Sequence, residues 1–273
     1  MRARFPQEPR MSSRSATALF VERLQSAGRY TFTRVEAESQ MQRSFIATQT
    51  ALRRLKQQCR VVSPRRGFYV TVPPEYRAAG SPPASWFIDD LMRYLGQPYY
   101  VGLLSAAAIH GAAHQQPMVF QVVTSRPTRE MRAGKLAIRF SMSGLVETLP
   151  VIEQQTETGT MRVAAPETCA FDLVRYPEAS GHLSNASTVL AELAERLDAR
   201  KLVDVARLVR LPDVQRLGYL LDVVGQRAVA APLAEWLATK QPRAVLLQPG
   251  EGAGAEVDAR WHVVPNVELE VEV

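Results

Sequence analysis

Apolar residues at Leu19, Phe20, Val21, Leu24 and Ala27 recur at helical spacing over residues 15–26, and Gly28 closes the run. Thr31, Phe32 and Thr33 follow. Thr33 stands three residues before Glu36, the spacing of a capping box, and opens a short helix with body 34–39. After a turn through 40–43, Ser44 caps a third predicted helix over 45–58. Its inward stripe is Phe45, Thr48, Leu52 and Leu55, with Ala51 beside it; Gln49, Thr50, Arg53, Arg54 and Lys56 point outward. Two β-branched and aromatic runs, 60–62 and 68–72, flank a predicted turn at 63–67 that holds Pro64, Arg65, Arg66 and Gly67. Three short helices followed by a basic-tipped hairpin predict a winged helix-turn-helix over residues 12–73.

Pro73, Pro74, Gly80, Pro82 and Pro83 interrupt the pattern, so residues 74–85 read as a linker. Helical spacing resumes through Trp86, Phe87, Leu91 and Leu95. A short extended piece at 99–101 precedes a helix over 103–110 that Gly111 ends. Strands are predicted at 118–124 and 136–140, and two apolar stretches within 145–163 stand in hairpin order. Pro166 and Glu167 open a helix containing Phe171, Leu173 and Val174. Further helices are predicted at 187–197, 201–209 and 214–223, with a shorter piece at 232–238. The C-terminus reads as extended at 244–247 and 261–273. There the alternation VELEVEV sets Val267, Leu269, Val271 and Val273 on one face. The fold class is α+β: an N-terminal winged helix-turn-helix followed by a larger mixed α/β domain over 86–273 with a half-exposed sheet.

Charge sharpens this division. Residues 1–72 hold fourteen Arg and Lys against four Glu, so a +10 segment joins a body of −4 within a chain of net +6. No acid occurs between Glu38 and Glu75. A compact basic module suggests a polyanion, and the predicted third helix suits the major groove of B-form DNA. Gln49 and Arg53 are the candidate base readers, supported by Thr50, with Arg54 on the same face. Ser44 and the amides at the helix start suit a phosphate. Lys56 and Arg60 are candidate phosphate contacts, and Arg65 and Arg66 at the hairpin tip would reach backbone or minor groove. Nothing in 12–73 resembles a long dimerisation helix, so a monomer that pairs on DNA fits the pattern. In the body, Arg126, Arg129 and Arg132 follow a strand and read either as a second basic surface or as a solvated loop.

Other chemistry is sparse. Cys59 and Cys169 have no zinc spacing and read as small buried hydrophobes in a reducing compartment. His110 and His114 are an i,i+4 pair without a nearby third ligand, so no metal is expected, and no cofactor. No P-loop, HExxH or dinucleotide fingerprint is present. Asp89 and Asp90 lack a carboxylate partner at catalytic spacing, and the expectation is that the chain is not an enzyme. The basic N-terminus, in which Met11 is an alternative start, has no apolar stretch of signal length behind it. No run approaches membrane-spanning length; the apolar run 101–113 is broken by Ser105 and His110. The expected location is cytoplasmic. Two rival readings stay open: a protein-interaction adaptor or regulator unconnected to any toxin, and an enzyme with a nucleic-acid substrate and carboxylates such as Asp89 or Asp172.

Three stretches carry a resemblance: SPRRGFYVTVPPEY, YYVGLLSAAAIHGAAHQQPMVFQVVTSRPTR and FDLVRYPEASGHLSN. Over about residues 12–240 the chain resembles the AbiEi antitoxins of type IV abortive-infection toxin–antitoxin systems, a phage-defence family. The resemblance implies a winged helix that binds inverted repeats upstream of its own operon and represses it. It implies a larger domain that opposes a nucleotidyltransferase-like toxin without a stable complex. Carried onto this chain, it assigns operator contact to 44–56 with Arg65 and Arg66. It assigns antitoxin function to 86–240, around Tyr100, His110 and residues 126–129.

Overall fold

The computed structural model describes residues 13–112, 119–250, 252 and 256–270, with side chains from Thr17 onward. The helices and strands in chain order begin with α1 (Ser13–Ser26), β1 (Thr31–Thr33), α2 (Arg34–Met41), α3 (Phe45–Gln57), β2 (Val61–Arg65), β3 (Phe68–Thr71) and α4 (Ile88–Leu95). Then come β4 (Tyr99–Val101), α5 (Leu103–Ile109), β5 (Val119–Thr124), β6 (Met131–Ala133), β7 (Leu136–Met142), β8 (Val151–Thr156) and β9 (Gly159–Ala164). The helices α6 (Pro166–Arg175), α7 (His182–Leu193), α8 (Ala199–Ala206), α9 (Leu211–Val223) and α10 (Arg227–Ala238) precede the short strands β10 (Val245–Leu246) and β11 (Val263–Val264). The architecture is mixed α+β.

The chain divides into two compact units. The first runs to Tyr94 and takes in 131–136 and 156–159; the second holds 95–130, 137–155 and 160–273. In the first unit β1, β3 and β2 form an antiparallel sheet in that order. Phe20, Val21 and Leu24 of α1 pack with Phe32 of β1, Ala37 of α2, Leu52 and Leu55 of α3 and Val61 of β2. The Phe20 and Phe32 rings meet edge to face at 5.0 Å, and Tyr69 stacks on Phe32 at 5.3 Å. Thr33 caps α2 by accepting from the Glu36 amide, and Gly28 ends the first helical segment with a positive φ that only glycine adopts freely.

Three local expectations change here. Phe45 is not in the core: it is 45% exposed, with the Arg34 guanidinium 4.7 Å from its ring. It is the first residue of α3, and helical side chains lean toward the N-terminus, which carries it past the core edge onto α2. The predicted five-residue turn shrinks to Arg66–Gly67, because β2 continues through Ser63 and Pro64 to pair Arg65 with Phe68. A register irregularity between Val62 and Arg65 accommodates Pro64, which has no N–H to offer the ladder. Cys59 is exposed rather than buried.

Residues 74–85, expected as a linker, pack within the first unit. Trp86 takes edge-to-face contacts from Tyr30 at 4.7 Å and Tyr76 at 5.3 Å, and its carbonyl accepts from Thr158 Oγ1 at 2.7 Å. Gly80 and Gly134 bring two backbones together so closely that a Cβ on Gly134 would lie 2.4 Å from the Ala79 carbonyl oxygen. The strand β6, which the apolar pattern does not announce, packs beside β2.

In the second unit the strands run in the order β7-β5-β4-β9-β8. β4 pairs antiparallel with β5 and parallel with β9, and β5 pairs parallel with β7. Helix α5 packs on β5, and α6 packs against α5, α7, α8 and α9. Helix α6 starts with Pro166 in its first turn, where the missing N–H is harmless, and is buried from Glu167 to Val174. The buried Glu167 carboxylate accepts from the Asp198 amide at 2.9 Å. The expected short piece at 232–238 is a longer helix, because Pro232 interrupts only the bond to the exposed Ala228 turn.

The C-terminus wraps onto α9. The Gln215 amide nitrogen donates toward the carbonyls of Arg243, Trp261 and His262, and Arg216 Nε donates to the Leu246 carbonyl. Trp261 is fully buried; its Nε1 donates to Asp222 Oδ2 at 2.8 Å, and Arg260 pairs with the same carboxylate at 2.9 Å. The expected long C-terminal strand is reduced to Val263–Val264, paired with Val245–Leu246. Val267 and Leu269 are half-buried and have no strand partner among the described residues, and Val271 and Val273 lie outside them. The indole needs Gly218, where a Cβ would lie 2.0 Å from Trp261 Cζ3. Trp261→Ala is therefore expected to lower stability by about 3–5 kcal/mol, and Gly218→Val by about 1–3 kcal/mol or more through overpacking. Urea unfolding followed by circular dichroism checks both; an unchanged midpoint for either variant would contradict this account of the C-terminus.

Candidate nucleic-acid interface

Helix α3 is positioned by its buried side. Thr48, Ala51, Leu52 and Leu55 face inward, which turns Gln49, Thr50, Arg53, Arg54 and Lys56 to solvent. Ser44 caps the helix by accepting from the Ala47 amide, and Thr50 turns its hydroxyl back to the Ile46 carbonyl at 2.9 Å. Two open grooves flank the exposed face. One, of about 690 Å³, is bordered by Gln49, Arg53, Lys56 and Gln57 of α3 and by Tyr69 of β3. The other, of about 680 Å³, carries Arg43, Ser44, Arg54 and Arg60. The basic face read from the sequence thus splits into two rows, Arg53 with Lys56 and Arg54 with Arg60.

The electrostatics follow from where the acids go. Glu36 pairs with Arg29 at 2.7 Å and Glu38 with Arg34 at 3.2 Å. Among the described residues Arg53, Arg54, Lys56, Arg65 and Arg66 have no acidic partner. Burial beside the core pushes the Tyr69 hydroxyl above its ordinary range, so it stays a proton donor at the groove edge.

The hairpin tip is anchored from two sides. The Arg66 carbonyl accepts from Tyr94 Oη at 3.0 Å, and the Gly67 carbonyl accepts from the Arg34 amide at 2.9 Å. Gly67 has φ +87°, and a Cβ there would stand 2.5 Å from the Tyr94 hydroxyl. The backbone is held while both arginine side chains project into solvent. No motif or spacing in the sequence marks Tyr69, Tyr94 or the exposed Ile46. Tyr94 lies across the proline-rich break, and no spacing rule links it to residue 66.

The body residues have different local settings. Tyr100 is fully buried and is no part of any surface: its hydroxyl donates to Asp172 Oδ1 at 3.2 Å. It sits on β4, the middle strand of the second unit's sheet, whose three residues are all buried. His110 is half-buried and its Nε2 meets the Ala164 carbonyl at 2.8 Å, tying the end of α5 to β9. Arg126 and Arg129 are exposed after β5, whereas Arg132 projects from β6 in the first unit. His114 lies outside the described residues. Asp89 and Asp90 both pair with Arg93. Among the described residues no group of His, Cys, Asp and Glu is arranged to hold a metal. No described helix is long and apolar enough to cross a membrane.

The Asp172–Tyr100 pair joins two of the sequence stretches quoted above. Burial pushes the Asp172 carboxyl up to about 7, against the opposing pull of the Tyr100 hydrogen bond and of Arg175. Its Oδ2 has no hydrogen-bond partner among the described residues and would lie 3.1 Å from a Cβ on Gly102. Gln121 makes the second link, donating to the Ala179 carbonyl while accepting from the Leu104 amide.

Residues 100–223, which begin at Tyr100 and end with α9, match the model of the AbiEi antitoxin C-terminal domain. By this match residues 100–223 form an AbiEi antitoxin C-terminal domain. The antitoxin domain therefore contains the buried Tyr100–Asp172 pair and the helix that receives the C-terminus. The solved structure of the RV2827C protein from Mycobacterium tuberculosis has a similar fold, with a TM-score of 0.66 at 16% identity over 91% of this chain and 90% of that one. No curated protein matches the sequence.

The buried carboxyl has a consequence for pH. With its folded pKa raised to about 7 from an ordinary 3.8, Asp172 keeps its proton in the folded protein after the unfolded chain has released it. Its contribution is fully present below about pH 4 and is lost as pH rises toward and through 7. Asp172→Asn is expected to flatten this decline, worth up to about 1.4 kcal/mol per pH unit in that window. Urea midpoints of both proteins at pH 5 and pH 8 test it; parallel pH dependence would contradict the assignment.

Proposed function

We propose that the antitoxin's first unit is a winged helix-turn-helix that binds operator DNA and represses its own toxin–antitoxin operon. The observation that carries this reading is the set of cations that, among the described residues, have no acidic partners, on the exposed face of α3 and at the hairpin tip. On this reading α3 enters the major groove with Gln49 and Arg53 toward base edges, supported by Thr50. Ser44, Arg54, Lys56 and Arg60 take phosphates along the two flanking grooves, and Arg65 and Arg66 reach the backbone beside the hairpin. Each neutralised phosphate releases counterions, which makes binding depend steeply on salt. The Tyr94 and Arg34 hydrogen bonds to the tip keep its backbone preorganised, so less conformational freedom is lost on binding.

Inverted repeats require two copies of the module, and the chain is proposed to pair on DNA from a monomer. The antitoxin domain implies a toxin counterpart. The resemblance of the wider chain points to a nucleotidyltransferase-like toxin opposed without a stable complex, in a type IV phage-defence system acting in the cytoplasm. No cofactor or catalytic step enters this reading.

Gel shifts on the duplex upstream of the chain's own reading frame, and on a scrambled duplex, test it. Arg53→Ala is expected to weaken operator binding by about 1–3 kcal/mol while sparing the scrambled duplex. Arg66→Ala is expected to weaken both equally and to reduce the log–log salt slope by about one. Absence of salt-dependent duplex binding by the unmodified protein would overturn the proposal.

A further inference from the structure

We infer that Ile46 is a specificity-determining residue that recognises the 5-methyl group of thymine in the operator. The inference rests on the operator-binding reading above and adds an apolar term to it. Ile46 is 74% exposed, more than any other large hydrophobic side chain among the described residues. It lies in the first turn of α3, on the same exposed face as Gln49, Thr50 and Arg53 at i+3, i+4 and i+7. The face therefore runs from an apolar end to a cationic end along successive turns. Neighbouring Phe45 is less available, because Arg34 covers its ring at 4.7 Å; Val35, also exposed, belongs to α2.

The chemistry of the groove selects the partner. The thymine methyl is the apolar group displayed on the major-groove edge, and the N-terminal residues of an inserted helix are those that meet base edges. A branched aliphatic side chain held out in water gains on covering such a methyl, by roughly fourfold in affinity per methyl buried. It offers neither donor nor acceptor to guanine or adenine. Arg53 and Gln49 then read polar edges while Ile46 favours thymine at the adjacent position.

The test removes the methyl and nothing else from the bases. The full chain, Ile46→Ala and Ile46→Val are titrated against the duplex upstream of its reading frame and against the same duplex carrying deoxyuridine for thymine. The unmodified protein is expected to lose about fourfold or more on the uracil duplex, Ile46→Val to keep most of that sensitivity, and Ile46→Ala to bind both duplexes alike. Equal methyl sensitivity in the unmodified protein and Ile46→Ala would overturn the inference while leaving operator binding intact. So would an Ile46→Ala effect confined to the steepness of the isotherm, which would assign the side chain to contact between two copies on DNA. No binding of either duplex in dilute salt would instead remove the operator reading itself, and this inference with it.

Discussion

Burial of Leu52 and Leu55 among Phe20, Val21, Leu24 and Phe32 sets the rotation of α3 about its axis. That one packing decision determines which side chains the first unit presents. A helix has a single orientation that places its apolar stripe in the core, and a rotation of one residue would carry Arg53 or Arg54 inward at a prohibitive desolvation cost. Glu36 and Glu38 are spent on Arg29 and Arg34, so the positive charge of α3 remains unneutralised among the described residues. The Arg34 amide holds the Gly67 carbonyl and its guanidinium lies over Phe45, so one residue touches the hairpin turn and the start of α3 together. The proposed DNA-binding face thus depends on apolar contacts that never reach its surface.

The antitoxin domain is organised differently. Its central helix α6 is buried along most of its length, and it carries a carboxyl, Asp172, into a place where ionisation is costly. Tyr100 supplies one hydrogen bond, and Gly102 leaves room for the second oxygen by having no side chain. The motif stretches that begin at Tyr99 and at Phe171 make sense as the two halves of this arrangement. The C-terminal segment closes on α9 through polar side chains, Gln215, Arg216 and Asp222, that satisfy strand backbone and an indole N–H which would otherwise be buried without partners. Residues beyond the matched domain and with no recognisable motif are here integral to the second unit.

Local signals were legible wherever the physics was local. The Thr33 and Ser44 caps, the helical stripe from Thr48 to Leu55, strand β4 at Tyr99–Val101 and the hairpin order of β8 and β9 all follow from spacing within a few residues. Phe45 and the turn at 63–67 depart from their local pattern by small margins, because end effects in helices and bulges in strands depend on what packs beside them. Tyr100, which the resemblance places in the antitoxin function, is fully buried, and a sequence does not say which side of a sheet a helix will cover.

The sequence by itself determined the division of charge, the basic helix and hairpin, the α+β class and the likeness to AbiEi antitoxins, since each depends on residue type and short-range order. Tertiary structure alone decided that Tyr94 anchors the hairpin tip, that the cations of α3 and Arg60 border two grooves rather than one, and that Trp261 rests on Gly218. It also decided that Asp172 is shut away from water. Each of these joins residues dozens of positions apart, or turns on the free space around one atom. Such facts are settled by packing at close-packed density, which no periodicity along the chain encodes.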